Sequence, residues 1–242
     1  MTPAARLSAA IDVLDNILSG QPAERALTNW ARGSRYAGSK DRAAVRDHVF
    51  DALRCRRSFA ARGGAETGRG LVLGMLRSGG VDPQTMFTGQ GHAPAPLTPG
   101  ETAQGTEPQG NAALDIPDWI APLLSASLGD DFVPVCRSLQ RRAPVFLRVN
   151  TLKTDRDQAI VDLAAENITA VAHPLSPTAL LVTENPRRLH LSAPYRDGRV
   201  ELQDAASQAV VDRLPLRPDM RVLDYCAGGG GKVLAMAGRV SA

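Results

Sequence analysis

The sequence predicts three successive parts: an all-α domain over residues 1–140, a small α+β subdomain over 145–198, and the first strand and helix of a parallel α/β domain over 199–242. Three observations carry this reading. Apolar residues recur at three-to-four spacing from Leu7 to Leu76, the period of amphipathic helices. At Val145 that period gives way to short, β-rich runs. Further on, the apolar run Val222-Leu223-Asp224 leads through Gly228-Gly229-Gly230-Gly231 into Val233-Leu234-Ala235-Met236-Ala237, a buried strand feeding a helix through glycine.

Leu7, Ala10, Ile11, Leu14, Ile17 and Leu18 share one face of a helix over residues 4–18, ended by Gly20. Pro22 opens a second helix through Ala26, Leu27 and Trp30 to Gly33. Ser39 is expected to cap a third, with Ala44, Val45, His48, Val49, Ala52 and Leu53 as its apolar stripe. Arg42, Arg46, Arg54, Arg56 and Arg57 ride along its sides and end, and Leu71 to Leu76 reads as a short apolar helix closed by Gly79-Gly80. His48, on the stripe, reads as a core histidine, and Cys55, with no base nearby, as a packing residue. Trp30 is expected in the core, with base stacking as the alternative role.

Residues 88–113 turn to Gly, Pro, Thr and Gln, the composition of a mobile linker. Ile116-Pro-Asp-Trp119 opens another helix with Trp119, Ile120, Leu123 and Leu124 on one side, and a last helical turn runs from Val133 to Leu139. Val145–Val149 is a strand ended by Asn150, and Thr154 is expected to cap a helix with Ile160, Leu163, Ala164 and Ile168 as its buried stripe. Thr169–Ala172 and Ala179–Thr183 are further strands. Val200 and Leu202 alternate like a strand, and Asp204 caps a helix carrying Ala206, Ala209, Val210, Val211 and Leu214.

Composition bounds the function. With 43% hydrophobic and 22% charged residues the chain is globular, and no run approaches the ~20 apolar residues of a membrane span. No signal peptide is apparent, so a reducing cytoplasm is the expected location. Cys55, Cys136 and Cys226 and the four histidines are scattered without metal-ligand spacing, so neither a disulfide framework nor a metal site is expected. Net charge is only +3, but the stretch from Arg25 to Arg62 holds ten Lys/Arg against three acids. A basic helical face of this kind is the electrostatic footprint of phosphate binding, whereas a merely solvated surface is the plainer alternative.

The glycine turn is a nucleotide-type cradle: its backbone approaches a ligand without a Cβ in the way, and helix-start N–H groups favour anionic or electron-rich atoms. Geometry alone leaves a dinucleotide, a phosphate or S-adenosylmethionine open. Gly-x-Gly-x-x-Gly is matched only by stretching, and Val233 stands where a P-loop needs Ser or Thr. Residue for residue, Val222-Leu223-Asp224-Tyr225-Cys226-Ala227-Gly228-Gly229-Gly230-Gly231-Lys232 resembles motif I of the RsmB/Nop/Sun family of RNA cytosine-5 methyltransferases. Val233 departs from that family's usual Thr. Leu147-Arg148-Val149-Asn150 and Gly198-Arg-Val-Glu-Leu-Gln-Asp-Ala-Ala-Ser-Gln208 resemble two further family segments, and the helical run resembles its NusB-like RNA-binding domain.

The resemblance implies a NusB-like helical domain, a small α+β subdomain and the start of a Rossmann-like methyltransferase domain. It implies S-adenosylmethionine on Asp224 and the backbone of Cys226, Ala227, Gly228, Gly229, Gly230, Gly231 and Lys232. It implies RNA, ribosomal RNA in particular, on Arg32, Arg35, Lys40, Arg42, Arg46, Arg54, Arg56, Arg57, Arg148 and Asn150, with a monomer expected. Methylation at cytosine carbon 5 needs a cysteine nucleophile. The family places its cysteines in Thr-Cys and Pro-Cys motifs, and neither dipeptide occurs here. The nucleophile is therefore expected beyond Ala242, and this chain alone is expected to be inactive. Two alternatives stand beside this expectation: a non-catalytic RNA-binding protein, or a methyltransferase of another substrate sharing the motif.

Overall fold

The computed structural model describes residues 1–103 and 105–240, and the chain divides into two units between Arg142 and Ala143. The first unit opens with α1 (Pro3–Leu18), α2 (Ala23–Gly33), α3 (Ser39–Arg54), α4 (Arg56–Gly63) and α5 (Gly68–Ser78). Thr2 starts α1: its hydroxyl accepts from the Ala5 N–H at 3.2 Å while Pro3 takes the first turn. The periodic apolar faces of α1, α3 and α5 meet in one core, where Ala10, Leu14, Val45, Val49, Leu71 and Leu73 are fully buried. Each such leucine contributes about 1.5–3 kcal/mol over its exposed state.

The third helix departs from expectation at both ends. Its cap position is Gly38, not Ser39, and the Asp41 carboxylate accepts from the Gly38 N–H at 3.3 Å. It stops at Arg54, and Cys55 turns the chain into α4, so Arg56 and Arg57 ride on a separate helix. Close packing of α4 on α5 requires this break. A Cβ on Gly74 would lie 1.9 Å from the Phe59 carbonyl oxygen, and one on Gly70 2.1 Å from that of Ala65. The same glycines hid the start of α5, which begins at Gly68 rather than Leu71; Thr67 and Asp15 cap it by accepting from Gly70 N at 3.0 Å and Gly68 N at 2.6 Å.

The stretch read as a mobile linker is tied onto α5. It contains α6 (Pro99–Ala103) and α7 (Gly110–Ala113). Arg69 holds the Glu101 carboxylate and the carbonyls of Ala95 and Pro96, both at 3.0 Å, and lies over the Phe87 ring at 4.6 Å. Composition could not show this, because the order comes from a partner outside the stretch. Then α8 (Ala121–Leu128) and α9 (Phe132–Leu139) close over Ile116, Ala121 and Cys136. Ile120 and Leu124 join that cluster, whereas Trp119 and Leu123 remain 74% and 68% exposed.

In the second unit β1 (Val145–Val149), β2 (Thr169–Ala172), β3 (Ala179–Glu184) and β4 (Val200–Leu202) form one antiparallel sheet in the order β2-β3-β1-β4. Phe146 pairs with Leu181 and Leu147 with Leu202, so the sheet runs across the boundary expected at residue 198. The short helix α11 (Ala193–Arg196) precedes β4. The helix α10 (Arg156–Ala165) is capped by Asp155 rather than Thr154, and its buried face is Ala159 and Leu163, with Ala164 exposed. Leu147, Leu163, Ile168, Leu180 and Val200 are fully buried around it. Asp204 caps α12 (Ala205–Asp212), accepting from Ala206 N at 2.8 Å. Gln208 inside α12 is 1% exposed and fully bonded: its amide donates to the carbonyls of Leu147 at 3.1 Å and Gln203 at 3.0 Å and accepts from the Thr178 hydroxyl at 2.8 Å.

One element differs in kind. Val222-Leu223-Asp224 is not a buried strand but irregular chain, with Val222 43% and Leu223 87% exposed. A strand needs a hydrogen-bonded neighbour, and among the described residues none pairs with this one. The helix α13 (Gly231–Val240) does form, two residues earlier than Val233.

Candidate cofactor loop and nucleic-acid interface

The loop from Asp224 to Lys232 hangs from an anchored helix. On α13, Met236 is 8% exposed and Arg239 donates to the Val211 carbonyl at 2.7 Å, which ties the helix to α12. Asp224 folds the entry: its Oδ1 accepts from Cys226 N at 3.1 Å, while its Oδ2 is buried with no hydrogen-bond partner. Gly228 at φ +54° and Gly230 at φ +86° take left-handed backbone that a side chain would strain, and Gly230 N closes the turn on Ala227 O at 2.9 Å. A Cβ on Gly229 or Gly230 would meet nothing within 4 Å, so the space beside these two is open. The Gln203 amide borders it, 3.6 Å from where a Cβ on Gly231 would stand, and its Oε1 is likewise buried without a partner.

This arrangement can do two things chemically. First-turn N–H groups of α13 can donate to a carboxylate or other electron-rich atom. The unpartnered oxygens of Asp224 and Gln203 can accept from hydroxyl or ammonium donors, and leaving such buried acceptors unsatisfied costs about 1–3 kcal/mol each. An amino-acid-bearing nucleoside such as S-adenosylmethionine offers both kinds of atom, so the residues fit the group. Cys226, Ala227, Gly228, Gly229 and Lys232 are exposed, and Tyr225 is 92% exposed.

The three thiols differ sharply. Burial pushes Cys55 up to about 11, with the Asp115 charge adding to it. Cys136 is 1% exposed, and Cys226 stands open in the loop.

The basic residues expected to meet RNA sort into two groups. Arg46 is doubly bonded to Glu24 and lies over Phe50 at 5.0 Å. Arg54 pairs with Asp51, Arg56 with Glu66, and Arg57 with Asp118 and the Ile116 carbonyl. Three of these acids, Glu24, Glu66 and Asp118, lie outside the basic stretch and neutralise it from elsewhere. The Arg46, Arg57 and Arg62 guanidiniums hold Glu24, Asp118 and Glu107 below the usual carboxylate range. Arg42 donates to the Ala37 carbonyl at 2.9 Å. By contrast Arg32, Arg35 and Lys40 are exposed and carry no ion pair among the described residues, as does Arg25.

Two residues expected to contact RNA in the second unit are engaged by the fold itself. Arg148 is 5% exposed with its guanidinium on Glu201 across the β1–β4 pair, a buried ion pair that leaves little of it open to a ligand. Asn150 builds the turn after β1: its Nδ2 donates to Gly198 O at 3.0 Å and its Oδ1 accepts from Leu152 N at 3.2 Å. His48, on the core stripe, is held below its ordinary value by burial.

Residues 116–187 match the RsmF/B-like methyltransferase ferredoxin-like domain. Ribosomal RNA small subunit methyltransferase B of Xanthomonas campestris pv. campestris is 34% identical over 122 residues, covering 48% of this chain and 26% of that protein. The protein of the same name from Vibrio vulnificus is 30% identical over 126 residues, covering 52% and 29%. The matched stretch thus spans less than a third of either relative. The crystal structure of PH0851 shares the fold, at a TM-score of 0.67 and 18% identity, covering 99% of this chain and 62% of that one. The chain is thus similar to RsmB-type proteins over its ferredoxin-like segment and about half of its own length.

Proposed function

We propose that this chain serves S-adenosylmethionine-dependent methylation of RNA at cytosine carbon 5, with ribosomal RNA as the substrate class. The observation that carries the reading is the loop itself, where the Asp224 to Lys232 motif presents open backbone beside an unpartnered, buried carboxylate oxygen. Kinship with proteins named for ribosomal RNA methylation supports the substrate class. S-adenosylmethionine would supply an electrophilic methyl group there. Asp224 orients the loop through Cys226 N and offers its second oxygen to a ligand donor, while the start of α13 receives an electron-rich atom. Arg32, Arg35 and Lys40, free of ion pairs among the described residues, hold RNA phosphates. The NusB-like character of the helical unit and the Rossmann-like character of the glycine turn belong to this proposal.

No thiol of this chain is assigned as nucleophile. Cys55 is pushed to about 11 and yields little thiolate at neutral pH, Cys136 is buried, and Cys226 belongs to the cofactor loop. The chain by itself is proposed to bind and not to turn over. A second reading, an RNA-binding protein without catalysis, draws on these same unactivated thiols and on the unpaired 222–224 stretch.

Calorimetric titration with S-adenosylmethionine separates the two. The methyltransferase reading expects binding that Asp224→Asn weakens about tenfold, the loss of one hydrogen bond to a charged group. Absence of binding would leave the RNA-binding reading alone, and equal binding by the variant would remove Asp224 from the cofactor contact. RNA binding itself is read from a salt series: three phosphate contacts on single-stranded RNA give a slope of log K against log salt of about −2.

A further inference from the structure

A cavity of about 760 Å³ in the first unit has no part in the loop or the ion-paired face. Its size falls within the roughly 300–1,000 Å³ of small-ligand sites. Its lining comes from three separate segments: Ser8 and Asp12 on α1, Trp30 and Tyr36 at and beyond the end of α2, and Gln90 and His92 in a turn of the 88–113 stretch. Three rings therefore face one cavity, and Tyr36 is 73% exposed although nothing in the fold requires a tyrosine there. Asp12 is the acid among them; burial and the Asp15 charge hold it above the ordinary carboxylate value.

Charge is sorted around this cavity. No Lys or Arg lines it among the described residues. Arg25, Arg32, Arg35 and Lys40, which flank Trp30 and Tyr36 in sequence, are exposed and unpaired among the described residues. A phosphate finds no Lys or Arg inside, and the one cation at the rim, the Met1 ammonium, is held by Asp41 at 3.2 Å. A neutral planar ring carried on a phosphate chain suits both regions: rings stack on its face and the acid accepts from an amino edge.

We infer that this cavity takes one unstacked nucleobase with an exocyclic amine from single-stranded RNA, stacked on Trp30, Tyr36 and His92, with Asp12 accepting from the amine and the Arg32, Arg35 and Lys40 side chains on the flanking phosphates. The inference rests on the RNA-directed reading above and adds a base-recognition subsite to it, apart from the cofactor loop. Aromatic rings with one acid also suit a quaternary ammonium, but the Met1 ammonium at the rim and the exposed cations next in sequence to Trp30 and Tyr36 oppose it.

The test uses the full chain and fluorescein-labelled hexanucleotides of adenine, cytosine or uracil, with an RNA duplex as control, followed by anisotropy. Adenine and cytosine oligomers are expected to bind several-fold tighter than uracil oligomers. Tyr36→Ala is expected to weaken the single strands about tenfold while leaving duplex binding and the salt slope unchanged. Asp12→Asn is expected to erase the preference over uracil, and Lys40→Ala to weaken all oligomers and flatten the slope. In a Trp119→Phe background, single strands are expected to quench the Trp30 fluorescence. Equal affinity of Tyr36→Ala and the parent, or no base preference in the parent, overturns the subsite while RNA binding stands. Failure of every RNA to bind at low salt overturns the RNA reading itself. Quenching by tetramethylammonium that RNA does not displace assigns the cavity to a cation and overturns the proposal.

Discussion

Replacing Glu101 by Gln tests whether the 88–113 stretch is held by electrostatics. The Glu101 carboxylate accepts from Arg69 Nε, from Arg69 Nη2 at 3.0 Å, from Thr98 N at 2.8 Å and from the Thr98 hydroxyl at 3.1 Å. Arg69 above all, and then the Thr98 N–H against some burial, bring the carboxyl from its ordinary 4.5 down to about 2. Taken at face value, that separation corresponds to about 3.4 kcal/mol at neutral pH. Both side chains retain contact with water, at 19% and 25% exposure, so solvent screening reduces the expected loss to about 1–2 kcal/mol. The sign follows from the depressed value. Stabilisation is complete above the unfolded value and fades as pH falls toward about 2, with less than half remaining at pH 3. Urea unfolding followed by tryptophan fluorescence is the assay. Trp30 and Trp119 are the two tryptophans and both lie in the first unit, so the signal follows that unit even where the two unfold separately. A gap between parent and E101Q below about 0.3 kcal/mol at pH 7, or a gap that does not narrow at pH 3, would refute the reasoning.

Other outcomes follow from the same geometry. Gly74→Ala drives a Cβ to 1.9 Å from the Phe59 carbonyl, and since backbone cannot step aside cheaply it is expected to cost about 3 kcal/mol in the same unfolding assay. Gly79→Ala is its control: the nearest atoms stand at 3.5 Å and 3.6 Å, and stability is expected to change by less than about 0.5 kcal/mol. With a disulfide reagent at pH 8, Cys226 is expected to react fast and alone, because Cys55 is pushed to about 11 and Cys136 is buried. Cys226→Ser is expected to abolish the fast phase, and a second fast thiol would contradict the packing of α4 or α9.

The sequence by itself determined most of the local elements and the glycine turns of the loop. The spacing of Leu7 to Leu18 and of Val45 to Leu53 placed the faces of α1 and α3, and Val145–Val149 appears as the strand its β-branched residues describe. Asp204 stands as the cap its position suggests, and Gly228 and Gly230 hold the left-handed turns that only a missing Cβ makes easy. These are short-range matters, settled by side-chain period and backbone sterics within a few residues.

What only tertiary structure decided involves partners far away in sequence. The ten cations between Arg25 and Arg62 read as one basic face, yet Glu24, Glu66, Glu107 and Asp118 neutralise several, while Arg25, Arg32, Arg35 and Lys40 stay exposed without an ion pair among the described residues. Arg148 matched a family segment and lies buried on Glu201, because β4 pairs beside β1. The break at Cys55 goes with close packing of α4 against the glycines of α5, and the order of the polar 88–113 stretch with Arg69 on the same helix. Val222 to Asp224, apolar enough for a strand, lacks a paired neighbour. Residue period fixes which face a side chain takes, but charge pairing and strand pairing depend on what the fold brings opposite it.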